Sequence, residues 1–444
     1  MTLNVTATVG LEPVGETLTA TFALDAGETA TFQLALGDEP AGDGRELFDA
    51  TVRFWRDWLE GSDYRGRWRE MVQRSALTLK LLTYRPNGAI LAAPTTSLPE
   101  HLGGERNWDY RFVWPRDAAF SAYALLALGF TAEARDFVGW LTARLGDAQD
   151  GERGPLRVLY SLDGDPDVEE RELDHLAGYR DSAPVRVGND ASDQLQLDIY
   201  GEVIDSVYLY NKYGEPVSAS IWEDLVRIVD WVCEHWDQED EGIWETRLGR
   251  KQHTYSRLMC WVAIERAIRM ARQRGLPGDI VGWGRERDAI YHQIMDKGFN
   301  AERGAFVQHY GGDALDASLL LMPMVKFIAP TDPRFLSTLE AIEEELVSDT
   351  LVFRYDPGIA PDGLDGAEGT LSICSFWYVE ALTRAGRLQD ARLALEKMFT
   401  YGNHVGLYAE QIGMTGEQLG NFPQAFTHLA LISAAINLDR ALDA

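Results

Sequence analysis

The spacing of apolar and polar positions changes once along this chain. Over the first forty or so residues it is two: segments 3–9, 16–24 and 28–36 alternate apolar and polar side chains and are rich in Thr and Val. Turns at Pro13-Val14-Gly15 and Asp25-Ala26-Gly27 separate them, so the pattern predicts short β-strands in a meander. Three strands cannot enclose a two-layer core of their own. Residues 46–59 then read as a connecting helix.

From about residue 67 the apolar positions recur at helical spacing. Amphipathic segments fall near 67–84, 117–129, 132–145, 193–213, 217–236, 254–274, 279–297, 315–328, 333–347, 369–386, 388–401 and 423–442. Pro216 ahead of one segment, Gly275 after another and Pro423 in the first turn of the last mark starts and stops. Segments 117–130, 193–210, 255–268 and 370–382 are apolar on most sides, whereas 132–145 and 333–346 each keep a charged face. A helix apolar all round is buried, and one with a single stripe lies outside. Six inner helices alternating with six outer ones describe a mainly α fold, an α/α toroid. An irregular helical array is the alternative, and the fixed-period repeat of a solenoid is missing. Loops 85–109, 145–185, 237–254 and 354–368 exceed the usual length, which marks them for function. In such a toroid the loops that feed inner helices open on one face.

Composition narrows the function. The 444 residues are 45% hydrophobic and 25% charged, as in a globular protein. A net charge of −29 disfavours nucleic acid and anionic membranes as partners. No apolar run approaches a membrane span, and the first residues lack the pattern of a secretory signal. Cys233, Cys260 and Cys374 are odd in number and lack metal-ligand spacing, so they read as reduced thiols in a cytoplasmic protein. The eight histidines are scattered, and HExxH, nucleophile-elbow and phosphate-loop motifs are absent, so neither metal nor cofactor is expected.

Three segments carry chemistry. Arg106-Asn107-Trp108-Asp109-Tyr110-Arg111-Phe112-Val113-Trp114-Pro115-Arg116-Asp117 leads into an inner helix. Aromatic rings that stack on a pyranose, beside charged groups that grip its hydroxyls, make a sugar site. Glu241-Gly242-Ile243-Trp244-Glu245-Thr246-Arg247 precedes another inner helix and sets a carboxyl against Trp. Leu407-Tyr408-Ala409-Glu410-Gln411 comes shortly before Gly420-Asn421-Phe422-Pro423-Gln424-Ala425-Phe426 and the last inner helix. Carboxyls on opposite walls suit glycoside hydrolysis: one protonates the leaving oxygen, and the other activates water across a gap of ~6.5–9.5 Å for inversion. Glu202, inside a predicted helix, competes for the acid role but reads as a packing residue.

With these motifs, and with Arg354-Tyr355, the chain resembles glycoside hydrolase family 15, the glucoamylase, glucodextranase and family-15 trehalase group, from about residue 65 to the C-terminus. The resemblance implies an (α/α)6 barrel spanning 65–444, preceded by a partial β-sandwich at 1–45 and a linker helix at 46–64. It implies inversion, with Glu245 as general acid and Glu410 as general base. Arg116 and Asp117 would grip the non-reducing-end glucose, Tyr110 would sit near the reacting carbon and its water, and Trp114 would form a pocket wall. Trp244, Arg354 and Gln411 complete the expected substrate-binding set.

Two departures bear on the substrate. Fungal glucoamylases place a second Glu directly after the acid, where this chain has Thr246. The β-region is also shorter than a full sandwich, leaving a strand edge open to self-association. The first expectation is exo-acting release of β-glucose from short α-glucans, and the alternative is trehalose hydrolysis on the same scaffold. An inverting phosphorylase and a non-catalytic sugar binder are weaker readings, since both carboxylates are present.

Overall fold

The computed structural model describes residues 3–37, 42–147, 154–364, 366 and 368–444; parts of the predicted 145–185 and 354–368 loops therefore lie outside the described residues. The chain divides into two units, Met1–Ser62 and Asp63–Ala444.

In the first unit β1 (Leu3–Ala7) pairs antiparallel with β4 (Phe32–Leu36), Leu3 opposite Leu36 and Ala7 opposite Phe32. Between them β2 (Glu12–Val14) and β3 (Thr17–Thr19) form a hairpin whose two-residue turn starts at Gly15, φ 64. Such a turn needs positive φ, which glycine adopts without strain. The predicted three-strand meander is thus two separate ladders, because the 12–19 hairpin closes on itself and the ends of the segment pair with each other. Helix α1 (Gly44–Glu60) begins where Asp43 accepts from the amides of Arg45 and Glu46.

The second unit is a double ring of helices. Its outer members are α2 (Arg69–Leu82), α4 (Thr131–Asp147), α6 (Ala219–His235), α8 (Ile280–Gln293), α9 (Pro333–Glu345) and α11 (Leu388–Phe399). The inner ones are α3 (Ala118–Ala127), α5 (Asp198–Tyr213), α7 (Thr254–Arg274), a 3-10 turn (Ala317–Leu321), α10 (Ser372–Arg384) and α12 (Ala425–Asp443). Each inner member packs on the next, and α12 returns to α3, closing the ring. Burial follows the sequence pattern. In α10 every side chain from Ser372 to Thr383 is buried, whereas α6 buries only the stripe Trp222, Leu225, Ile228, Val229 and Val232. Gly201 lets α5 approach α7 closely: a Cβ there would lie 2.3 Å from the Met259 carbonyl oxygen.

Three expectations need correction. The segment 315–328 is not an α-helix; after residues 317–321 the chain turns, since Pro323 has no N–H to donate and Lys326 adopts φ 66. Helix α5 starts at Asp198, not near 193, behind a separate 3-10 turn at Asp190–Asp193. Pro423 precedes α12 by two residues, because the Gln424 amide donates to the Tyr408 carbonyl before the helix begins.

Candidate active site

The segments that enter the inner helices line a cavity of about 380 Å³. One wall carries Glu410. Its backbone is pinned on both sides: the Ser372 amide, at the start of α10, donates to its carbonyl at 2.9 Å, and its own amide donates to Asn421 at 3.3 Å. The carboxyl is 7% exposed; Oε1 accepts from the Tyr110 hydroxyl at 2.6 Å, while buried Oε2 has no hydrogen-bond partner among the described residues. Burial pushes its pKa up to about 7, against the Tyr110 hydrogen bond and the Arg354 charge, with Glu368 and Glu245 adding to the rise.

Another stretch of the lining carries Glu245. Its φ of 56 lies in the left-handed region, a strained conformation for a side chain of this kind, and neighbouring bonds hold it there. Its amide donates to Gly242 at 3.2 Å, its carbonyl accepts from Gln194 Nε2 at 3.3 Å, and the Arg247 amide donates to Asp362 at 2.9 Å. Glu245 Oε1 accepts from Trp114 Nε1 at 2.9 Å and Arg116 at 3.0 Å. Arg116 also donates to the Ile243 carbonyl at 2.8 Å and lies 3.5 Å from Asp117. Burial raises the Asp117 pKa to about 6 although Arg116 opposes the shift, and its Oδ1 has no hydrogen-bond partner among the described residues. Arg116 and Asp117 thus offer polar atoms to a guest.

A charge cluster forms part of the lining through Arg106 and Arg354. Arg106 donates to Asp362 at 2.9 and 3.1 Å and to Glu368 at 2.5 Å. Arg354 donates to both oxygens of Glu368, at 2.8 Å on Oε2, and reaches Asp362 at 3.3 Å. Trp244 is fixed by its indole N–H on Asp316, at 3.0 and 2.9 Å, and the Arg354 guanidinium lies 5.7 Å from its ring centroid. This network sets the ring and the cation as parts of the wall before any sugar enters.

Of the residues named from sequence, Tyr110, Trp114, Arg116, Asp117, Trp244, Glu245, Arg354 and Glu410 line one cavity. Gln411 does not. It is buried, its side-chain carbonyl accepts from the Gly369 amide at 2.9 Å, and its backbone belongs to a small sheet next to Glu410 in the chain. Glu202 lies away from this cavity, accepting from the Tyr255 hydroxyl at 2.6 Å. Sequence reasoning passed over Glu100 and Gln194, which also line the cavity, and it assigned no role to Gln424 and Phe426 of the quoted 420–426 motif, which line it too. The length of the 85–109 loop was the available signal for Glu100; Gln194 had none beyond nearness to an inner-helix start.

Residues 66–436 match the family described as Glycosyl hydrolases family 15. A trehalase of Mycolicibacterium smegmatis is 43% identical over 447 residues, covering 99% of this chain and 66% of that protein. A trehalase of Mycobacterium tuberculosis is 46% identical over 394 residues, covering 88% of this chain and 58% of that protein. The chain therefore spans about two-thirds or less of the length of these curated relatives. A bacterial glucoamylase solved in complex with acarbose superposes with a TM-score of 0.69 at 16% identity, covering 89% of this chain and 60% of that one, a likeness of fold.

Proposed function

Since the chain belongs to glycosyl hydrolase family 15, we propose that its pocket hydrolyses α,α-trehalose with inversion at the attacked carbon. The trehalose alternative stands ahead of the short-α-glucan reading because curated relatives above 40% identity are named trehalases. The observation that carries the chemistry is the presence of two carboxyls in the lining of one cavity, each with one oxygen fixed by donors.

Glu410 serves as the base. A pKa near 7 lets it ionise at neutral pH and still accept a proton as water attacks. Glu245 serves as the acid, its Oε1 held by Arg116 and the Trp114 N–H. Tyr110 and Trp114, with rings 5.5 Å apart, and Arg354 frame the sugar. Thr246 lines the pocket with its hydroxyl turned onto the Glu241 carbonyl, which suits a leaving sugar other than the reducing end of a maltooligosaccharide. The three free thiols support a reducing, cytoplasmic setting. The net charge of −29 supports a neutral substrate over nucleic acid.

Stereochemistry tests the reading. Attack on one half of trehalose with inversion makes that half β-glucose, while the leaving half keeps its α configuration. Proton NMR at early times should show α- and β-glucose in equal amounts. Initial α-glucose alone would mean retention and end the mechanism; faster turnover of maltose or isomaltose than of trehalose would end the substrate assignment.

A further inference from the structure

Glu100 brings another carboxyl to the Glu410 wall, and the mechanism above gives it no task. It is 4% exposed, and it lines the same cavity. Its amide donates to Arg106 at 3.0 Å, and the carbonyl of the preceding Pro99 accepts from the Gly420 amide at 2.8 Å. This ties the 85–109 loop to the segment beside the base. At Gly420, φ 79, an added Cβ would stand 2.8 Å from Glu410 Oε2 and 3.6 Å from Glu100 Cγ. The bare glycine therefore lets both carboxyl side chains come close to the same stretch of backbone. The Glu410 oxygen facing it is the one without a protein hydrogen bond.

Resting on the reading of Glu410 as the base, we propose that Glu100 is a water-positioning residue: its carboxyl and Glu410 Oε2 together hold the water that attacks the anomeric carbon. The charges around Glu100 fit this task. Burial and then the Glu410 charge hold its pKa well above the usual carboxylate range; Glu368 acts the same way, and Arg354 and Arg106 oppose. Tyr110 lies in the field of Glu410, Glu100 and Glu245 alike. In the proposed arrangement Glu100 is the neutral member of the pair and Glu410 the anion. Water donates one hydrogen to Glu410 Oε2 and the other to the carbonyl oxygen of protonated Glu100, which aims a lone pair at the anomeric carbon. The new C–O bond forms as the glycosidic C–O bond breaks. Its electron pair goes to the leaving oxygen, which takes the proton of Glu245, while Glu410 receives the proton of the water.

α-D-Glucosyl fluoride separates this inference from the choice of leaving sugar, since fluoride departs without a proton from Glu245 and fills no second sugar site. On the full chain, Glu100→Leu should lower kcat on the fluoride about a hundredfold with KM little changed. Glu100→Gln keeps a neutral acceptor and should stay within about tenfold of the parent. Should the leucine variant fail to fold, Glu100→Asp carries the same readout, its shortened reach lowering kcat at least about tenfold at unchanged KM. Unchanged kcat in Glu100→Leu or in Glu100→Asp, or Glu100→Gln as slow as Glu100→Leu, overturns the role. Full fluoride turnover by Glu410→Gln removes the base itself and the inference with it. Failure on trehalose with the expected pattern on fluoride would strike only the substrate reading.

Discussion

Tyr110 shows how much one hydroxyl does in this pocket. It is partly buried beside carboxyls, and desolvation together with their charges pushes its own pKa well above the usual tyrosine range, so it remains a donor at neutral pH. Its 2.6 Å bond to Glu410 favours the carboxylate, opposing the burial that lifts Glu410 to about 7. Glu410 must be ionised to accept a proton, so kcat/KM should fall as pH drops through about 7. Tyr110→Phe removes the donor, and the acid limb should move to higher pH by about one unit or more. The pH dependence of kcat/KM for trehalose measures this in the free enzyme. A limb that stays in place or moves down would show that Tyr110 does not tune the base. The site's aromatic and charged residues were legible because they stand in dense runs. Which oxygen of each carboxyl is occupied was not, because Tyr110 and Glu410 are 300 positions apart in the chain.

At the scale of elements, the site depends on how closely the inner helices pack. Gly201 sits where α5 presses on α7, and Gly201→Ala would force Cβ against the Met259 carbonyl oxygen. The two helices must part, which should destabilise the unit by about 1–3 kcal/mol. Because Gln194 lies just before α5 and Glu245 before α7, catalysis should weaken as well. Urea unfolding with parallel assays checks both; an unchanged unfolding midpoint would mean that the contact relaxes freely. Helix positions were read well from periodicity, since inner and outer helices differ in how much of their surface is apolar. The miss at 315–328 arose because its apolar content satisfies a buried turn as readily as a buried helix. Only Pro323 hinted at the break, and Lys326 in the left-handed region could not be foreseen.

For the whole molecule, buried acids shape the response to pH. Burial lifts Asp117 and Asp240 to about 6, and Asp198 and Glu410 to about 7. The unfolded chain releases those protons near pH 4, so the fold binds them more tightly. Their contribution to stability is full below about pH 4 and is lost as pH rises through 6 to 7. The net charge of −29 works in the same direction, since self-repulsion grows as carboxyls ionise. Tm should therefore be several degrees higher near pH 5.5 than near pH 8. Asp198→Asn should flatten the difference, because neither Asp198 oxygen has a hydrogen-bond partner among the described residues. Calorimetry across this range is the check, and a Tm that rises toward pH 8 would contradict the account.

By itself the sequence determined the helical alternation, the family motifs and the two carboxylates at their centre. These are local properties: periodicity records which face of a helix meets water, and a motif records side chains held on one short stretch. The tertiary structure decided what depends on distant segments meeting. It turned Gln411 away from the pocket, bound Arg354 to Glu368, and set Arg116 against Glu245. It also brought Glu100 beside Glu410. A carboxyl's task depends on its solvent, its donors and the charges that face it, and here folding supplies all three.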